Sequence, residues 1–437
     1  ALRLAGQRRL AQRSGPGTWT GGDGPRSLED LALELALASR RLWVEVSVLM
    51  QFEGRFTGIT RTVASVLREW LAVPGLPLHF CAYHLAARAF VEVPRERVER
   101  VLNGLAGVPA DARDPSLPGT PMRLGPDDVL FLPETFYAHP EYNELLRGLR
   151  AATRARIVPV IYDLIAHFAP QLFGARGTPA FTAWAAQVVR AADLVVTISE
   201  HSRRAVGAFC REQGIAPPPV EVVRLGDGDL AAQAGAGRPP AGLADGEPFV
   251  LSVGTLEVRK NHWLLYQAWR RLIEAYGPAA VPKLVAVGRP GWLTGDLLTL
   301  LAGDELVRGH VVLATDAGDE ELIWLYKNCL FTVYPSHDEG WGLPVAEGLA
   351  FGKVCLASDA ASLPEAGGAL ADYFDPLDPP AFVRLAERAL FDPAYRAARE
   401  GQIRRLYRVT PWRSCAHAIL QALTDRAAPA RAAGRAA

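Results

Sequence analysis

The densest chemistry in the sequence is Pro335-Ser336-His337-Asp338-Glu339-Gly340-Trp341-Gly342-Leu343-Pro344-Val345-Ala346-Glu347. An apolar run of strand length, residues 331–334, ends just before it, and Pro344 stands where its fixed φ suits the first turn of a helix. Gly340 and Gly342 permit a sharp turn and a close approach of backbone to ligand. The helix that follows would aim unpaired N–H groups and its positive dipole end forward, a layout that suits phosphate. Glu339 in the turn and Glu347 on the helix could each accept from vicinal hydroxyls, as two sugars flanking a diphosphate would offer. The plain alternative is a simple turn with Glu347 on the surface.

A second apolar run, residues 249–253, leads into Gly254-Thr255-Leu256-Glu257-Val258-Arg259-Lys260-Asn261-His262. Lysine is scarce, 4 against 43 arginines, so Lys260 beside Arg259 at a helix entrance stands out. Two adjacent cations there can neutralise a departing diphosphate without a metal, by charge stabilisation set up in advance. Taken alone, such a pair is more often a solvated surface feature; at this position it favours phosphate binding.

The elements that must position these groups follow from hydropathy. Short Val/Ile/Leu-rich runs alternate with longer helical patterns: strands over 43–50, 77–81, 129–132, 157–162, 194–198 and 220–223, then 249–253, 283–287, 310–313, 331–334 and 354–357. This alternation predicts parallel sheets covered by helices. Ser27 is placed to cap a helix running to Arg40. Residues 1–26, Arg-rich with Gly, Ser and Pro, read as a flexible arm. The Gly/Ala/Pro-rich stretch 229–246 reads as a linker between an N-terminal domain over 27–228 and a C-terminal domain over 247–424. The last helix packs back on the N-terminal domain, and 425–437 form a disordered tail. The expected fold is α/β, with two doubly wound domains facing across a cleft.

Composition narrows the function. The chain has 437 residues, enough for two or three domains, and 49% apolar and 22% charged residues, near globular averages. Lys+Arg and Asp+Glu are 47 each, so no global field would hold the protein on nucleic acid or an anionic membrane. Five scattered cysteines without a C-x-x-C pair argue against a disulfide framework or zinc site, and a reducing cytoplasmic setting is expected. No apolar run reaches membrane-spanning length and no secretory pattern opens the sequence, which begins at Ala1 and leaves open a larger parent polypeptide. His79, His84, His139, His201 and His417 lack metal-ligand spacing, and neither a nucleophile elbow nor a Walker loop is present.

The motifs Gly-Thr-Leu-Glu-x-Arg-Lys-Asn at 254–261, Pro-Ser-x-x-Glu-Gly-Trp-Gly-Leu-Pro-x-x-Glu at 335–347, and Ser362-Leu363-Pro364-Glu365 followed by Gly367 resemble the family-4 retaining glycosyltransferases of the GT-B fold (glycosyl transferases group 1). The resemblance runs from about residue 43 to 423 and implies two Rossmann-like domains. It also implies that Arg259 and Lys260 contact the donor diphosphate, Glu339 the donor sugar and Glu347 the ribose hydroxyls, with Gly254, Gly340, Trp341, Gly342 and Leu343 lining the donor site. In the first half, Gly58 after Thr57 resembles the family's glycine loop, equally a plain turn. Tyr162-Asp163 resembles its His-Asp dipeptide with Tyr in place of His, and His167 follows nearby. Asp163 is the candidate to orient or deprotonate an acceptor hydroxyl, or else a helix cap; Ser199 resembles the family's cleft serine, with an N-cap role explaining it equally.

The implied function is metal-independent, retaining transfer of a hexose from a nucleotide sugar, mannose from GDP-mannose first, to a glycan or lipid-linked glycan in surface-polysaccharide or glycoconjugate synthesis. No cofactor is expected. The implied location is the cytoplasm, with weak contact at the inner face of the membrane. Two alternatives stand beside it: a sugar-nucleotide epimerase of similar fold, and an inactive module that only binds the nucleotide sugar.

Overall fold

The computed structural model describes residues 26–51, 58–104, 120–137, 139–174, 177–232, 237–240, 243 and 246–425. The expected arm up to residue 25, Thr57 of the glycine loop and the tail beyond Asp425 lie outside the described residues. Contacts divide the chain into two compact units.

The first unit comprises the described residues within 20–167, 176–226 and 412–437. Its sheet has the strand order β3-β2-β1-β4-β5-β6-β7, with β1 Leu42–Glu45, β2 Leu78–His84, β3 Ala89–Val93, β4 Val129–Leu132, β5 Arg156–Ile161, β6 Val195–Thr197 and β7 Val220–Val222. All pairings are parallel except β2 with β3. Every residue of β1 and β4 is buried, which is why these strands read as unbroken apolar runs rather than as an alternation. Ser27 and Asp30 form a reciprocal capping box that starts the helix Leu28–Leu37. The helix Trp412–Thr424 lies against Leu28–Leu37 and Gly58–Leu71, and the Trp70 indole N–H donates to the Ala416 carbonyl at 3.0 Å.

Two expectations change here. The strand expected over 43–50 stops at Glu45, and a short helix, Ser47–Gln51, follows. Its first N–H groups are taken by buried carboxylates: Glu45 accepts from Ser47 at 2.9 Å, and Glu134 from Val48 and Leu49 at 2.6 and 2.7 Å. Strand β2 is longer than 77–81 and folds back into β3, a hairpin whose turn, Leu85-Ala86-Ala87-Arg88, carries neither Gly nor Pro. Arg88 takes a left-handed φ of 47° there.

The second unit comprises the described residues within 168–175 and 227–411. Its sheet is parallel throughout, ordered β10-β9-β8-β11-β12-β13, with β8 Phe249–Val253, β9 Lys283–Val287, β10 Val311–Ala314, β11 Thr332–Tyr334, β12 Cys355–Ser358 and β13 Asp372–Phe374. One core packs the helices His262–Tyr276 and Pro379–Phe391 through Trp269, Leu272, Phe382 and Phe331. A second core centres on the helix Asp319–Asn328, where Trp324 stacks on Phe249 at 5.7 Å between ring centroids. The stretch 229–246 is described only in part. Within it Asp229–Ala232 is helical, Leu230 and Leu243 are buried in the second core, and a Cβ on Gly237 would lie 2.5 Å from the Glu320 carbonyl. The short segment from Phe168 belongs to this unit as well: the Trp292 indole N–H donates to the Leu172 carbonyl at 3.0 Å, and Phe173 meets the Trp292 ring edge-on at 5.5 Å.

Candidate active site

Strands β8 and β11 are neighbours, with Leu251 opposite Thr332, although β9, β10 and their helices separate them in sequence. The chain order reverses between them, and ligands of doubly wound sheets bind beyond the strand C-termini at such a switch point. Both dense motifs leave the sheet there. After β8, Gly254 takes a φ of 155° and donates to the Val287 carbonyl at 2.9 Å. A Cβ on Gly288, after β9, would lie 2.1 Å from the Gly254 carbonyl oxygen, so only glycine permits this approach of the two loops. Residues Val258–Lys260 then form a single 3₁₀ turn, Asn261 turns left-handed with φ 57°, and the helix His262–Tyr276 begins.

This geometry places Arg259 and Lys260 against the turn after β11. Arg259 Nη1 lies 2.7 Å from Glu339 Oε2 and its Nη2 2.6 Å from Glu257 Oε1, while Lys260 Nζ lies 2.5 Å from Glu339 Oε1. Tyr334, the last residue of β11, accepts from Lys260 Nζ at 2.6 Å and donates to Glu339 Oε1 at 3.0 Å; Ser336 Oγ donates to the same oxygen at 2.6 Å. Burial alone would push the Glu339 carboxyl up. The charges of Arg259 and Lys260 and the hydrogen bonds from Lys260 and Ser336 outweigh it and hold the group down at about 2. Lys260 is lowered by burial and by Arg259, with Glu339 opposing. His262 is driven to about 4 by burial and by Lys260, and is neutral.

The backbone of the turn is clasped from two sides. The His337 N–H and the Ser336 hydroxyl both donate to the Arg259 carbonyl, at 2.8 and 3.1 Å, and Arg259 Nη1 donates to the Asp338 carbonyl at 2.8 Å. From the later motif, the Ser362 hydroxyl sits 2.8 Å from the carbonyls of both Glu339 and Trp341, and Ser358 donates to the Ser336 carbonyl at 2.5 Å. Gly340 and Trp341 are buried within this turn. Gly342 caps the helix Leu343–Ala350 with φ 114°, and a Cβ there would come within 2.5 Å of Leu363. Pro344 is the second residue of that helix. Glu347 is buried on it and accepts from the Tyr326 hydroxyl at 2.8 Å, so it is not the surface residue of the plain alternative.

Arg259, Lys260, Glu339, Gly340, Trp341, Gly342, Leu343 and Glu347 thus lie within one unit around the ends of β8 and β11. The other candidates belong to the first unit. Gly58 opens the helix Gly58–Leu71 with φ 52°. The Asp163 carboxylate accepts from the Ile165 N–H at 3.1 Å, a capping contact. Ser199 is the N-cap of the helix Glu200–Glu212, accepting from the Ser202 N–H at 3.0 Å. The Tyr162 side chain is buried and donates to the Pro133 carbonyl at 2.9 Å, so it is a core residue. His167 is engaged by Thr182 and Glu212. Sequence reasoning gave no role to Glu257, Tyr334, Ser336, Ser358, Ser362, Tyr326 or Gly288. Of these, Glu257, Ser336 and Ser362 stood inside quoted motifs, and Tyr334 ended a strand that leads into one. Among the described residues, no three or more His, Cys, Asp or Glu are grouped to hold a metal, and no helix is long and apolar enough to cross a membrane.

Residues 236–406 match the family model described as glycosyl transferases group 1. Over that stretch the chain is similar to this family. The chain is 31% identical over 179 residues to the serotype-specific mannosyltransferase WbdA of Escherichia coli, a match covering 41% of the chain and 22% of WbdA. It is 29% identical over 184 residues to the D-inositol 3-phosphate glycosyltransferase of Nocardia farcinica (strain IFM 10152), covering 40% of each. The match spans less than half the length of either relative. In fold, the chain resembles the trehalose-6-phosphate synthase OtsA, at 14% identity and a TM-score of 0.60, over 89% of this chain and 99% of that one. Its two parallel-sheet α/β units are those of the GT-B fold.

Proposed function

We propose that the protein is a retaining glycosyltransferase that moves a hexose, mannose from GDP-mannose by first choice, to a glycan acceptor in polysaccharide or glycoconjugate synthesis. The observation that carries this reading is the convergence of Arg259 and Lys260 on Glu339 at the mouth of the helix Leu343–Ala350, with buried Glu347 along that helix. Cations, a helix N-terminus and two carboxylates supply partners for a diphosphate, its sugar and its ribose. The bond between the sugar's anomeric carbon and the diphosphate oxygen breaks as the acceptor oxygen bonds to the same face. Arg259, Lys260 and the backbone N–H groups at Leu343 take up the charge developing on the leaving diphosphate. The acceptor's proton passes to the departing phosphate oxygen, and no covalent sugar–protein intermediate forms. The cations fill the role of a metal ion in this scheme.

The mannosyltransferase WbdA among the relatives supports mannose, and with it the GDP nucleotide, as first choice. The acceptor would be a growing, lipid-linked glycan met at the inner face of the membrane. A thermal-shift panel of GDP, UDP, dTDP and CDP tests the donor. A ligand at 100 times its Kd stabilises by ~2.7 kcal/mol, so one nucleotide should stand out. An epimerase would convert the nucleotide sugar without an acceptor, and an inactive module would bind it and release nothing with any acceptor.

A further inference from the structure

Four donors converge on one carboxylate in the second unit. Glu339 receives Arg259 Nη1 at 2.7 Å, Lys260 Nζ at 2.5 Å, Ser336 Oγ at 2.6 Å and Tyr334 OH at 3.0 Å, and its side chain is 8% exposed. Two cations and two hydroxyls around a buried point are an anion cradle, and here the anion is the protein's own. The other arm of Arg259 is held by Glu257, itself buried. These four side chains sum to two positive and two negative charges, and both cations are already engaged by carboxylates.

We propose that Glu339 is a stand-in for the diphosphate: it occupies the Arg259–Lys260 anion site and gives those cations up when the donor binds. This rests on the reading of the site as a nucleotide-sugar site. A diphosphate brought to both cations with Glu339 in place would set like charges side by side at hydrogen-bond range, an arrangement strongly disfavoured away from water. Glu257 keeps Arg259 oriented throughout. The displaced carboxylate stays beside the turn, where a donor sugar's hydroxyls give it new partners. A nucleoside diphosphate without the sugar gives it none, so the exchange discriminates against the product and favours its release. Specificity then resides partly in an internal competitor, an element of repulsion as well as attraction.

The test is calorimetric titration of inorganic pyrophosphate, GDP, UDP and dTDP into the full chain, comparing wild type with Glu339→Gln and Ser336→Ala. Glutamine keeps the shape and one acceptor but removes the competing charge. Pyrophosphate should bind Glu339→Gln at least ten-fold more tightly than wild type. It should bind Ser336→Ala, which only loosens the carboxylate, two- to five-fold more tightly. Unchanged or weaker pyrophosphate binding in Glu339→Gln overturns the proposal, and should that variant not fold, the same result in Ser336→Ala overturns it. Failure of the glycosyltransferase reading would look different: none of the three nucleotides would bind either protein better than pyrophosphate does, whatever the effect of the substitution.

Discussion

Tyr326 donates its hydroxyl to Glu347 at 2.8 Å, and both side chains are buried. The Tyr326 ring is itself fixed by stacking on Phe351, 5.0 Å between centroids and 8° from parallel. One helix thereby aims the carboxylate that another helix carries. Tyr326→Phe removes a hydrogen bond to a charged acceptor and should cost about 1.5–3 kcal/mol of stability. Nucleotide affinity should fall with it, and an unchanged Kd by calorimetry would mean that Glu347 needs no such aiming. Glu347→Ala should weaken nucleotide binding more than Asp163→Ala, and the reverse order would show that the ribose is held elsewhere.

Arg259 bridges two buried carboxylates and Lys260 holds one, which ranks their losses. Lys260→Met leaves Glu339 with Arg259; Arg259→Ala takes from Glu257 its cation at 2.6 Å and leaves Glu339 with Lys260. Breaking a buried pair by deleting one partner costs about 3–5 kcal/mol. Both variants should lower turnover by roughly 10²-fold, as removal of one charge-stabilising donor does. Denaturant midpoints should show Arg259→Ala as the less stable of the two. Wild-type kinetics in either would remove both from the leaving-group site.

Gly342 combines a φ of 114° with a neighbour in the way, since an added Cβ would meet the buried Leu363 side chain at 2.5 Å. Gly342→Ala should cost about 1–3 kcal/mol through backbone strain, before any repacking of Leu363. It should also raise the donor KM, because the N–H groups of the helix start move with it. A variant of wild-type stability and KM would show that the turn tolerates rearrangement.

Glu45 and Glu134, at the ends of neighbouring strands β1 and β4, make stability depend on pH. Burial raises the Glu45 carboxyl from its ordinary 4.5 to about 7, opposed by its bonds to Ser47. Glu134 is raised as well, by burial and then by the charge of Glu45. The folded protein therefore holds protons that the unfolded chain has released, and stability is lost as pH rises from about 4.5 through 7 and beyond. For Glu45, moving from 4.5 to about 7 corresponds to roughly 3 kcal/mol. Denaturation midpoints should fall between pH 5 and pH 8, and Glu134→Gln should flatten that slope. A flat wild-type profile would show that the two carboxylates are solvated.

What the sequence made legible was local. The runs before residues 254 and 335 are strands, Pro344 enters a helix and Ser27 caps one, because each signal is carried by adjacent residues. The Glu339 cluster was legible in part: its cations and acid sit in two motifs 79 residues apart, and pairing them required knowing that β8 and β11 are neighbours. Glu45 and Glu134 carried no signal, since nothing near them marks a carboxylate as buried. The β2–β3 hairpin was hidden by a turn of Leu, Ala and Arg, where Arg88 supplies the conformation that glycine usually does. Tyr162 stood in place of the family's histidine with His167 nearby; the Tyr162 side chain turns into the core, and His167 is bound by Thr182 and Glu212.

The assignment of Phe168 and its neighbours to the second unit, and of the helix Trp412–Thr424 to the first, has a practical side. The polypeptide passes from one unit to the other near residues 167, 175, 226 and 411 rather than once. A fragment ending at residue 226 would strip Ala416 from Trp70 and uncover the faces of two helices, and its complement would lack the ring that meets Trp292. Proteolytic nicking between the halves should therefore leave the pieces associated, and splitting the gene there should yield parts that recover native structure only when produced together.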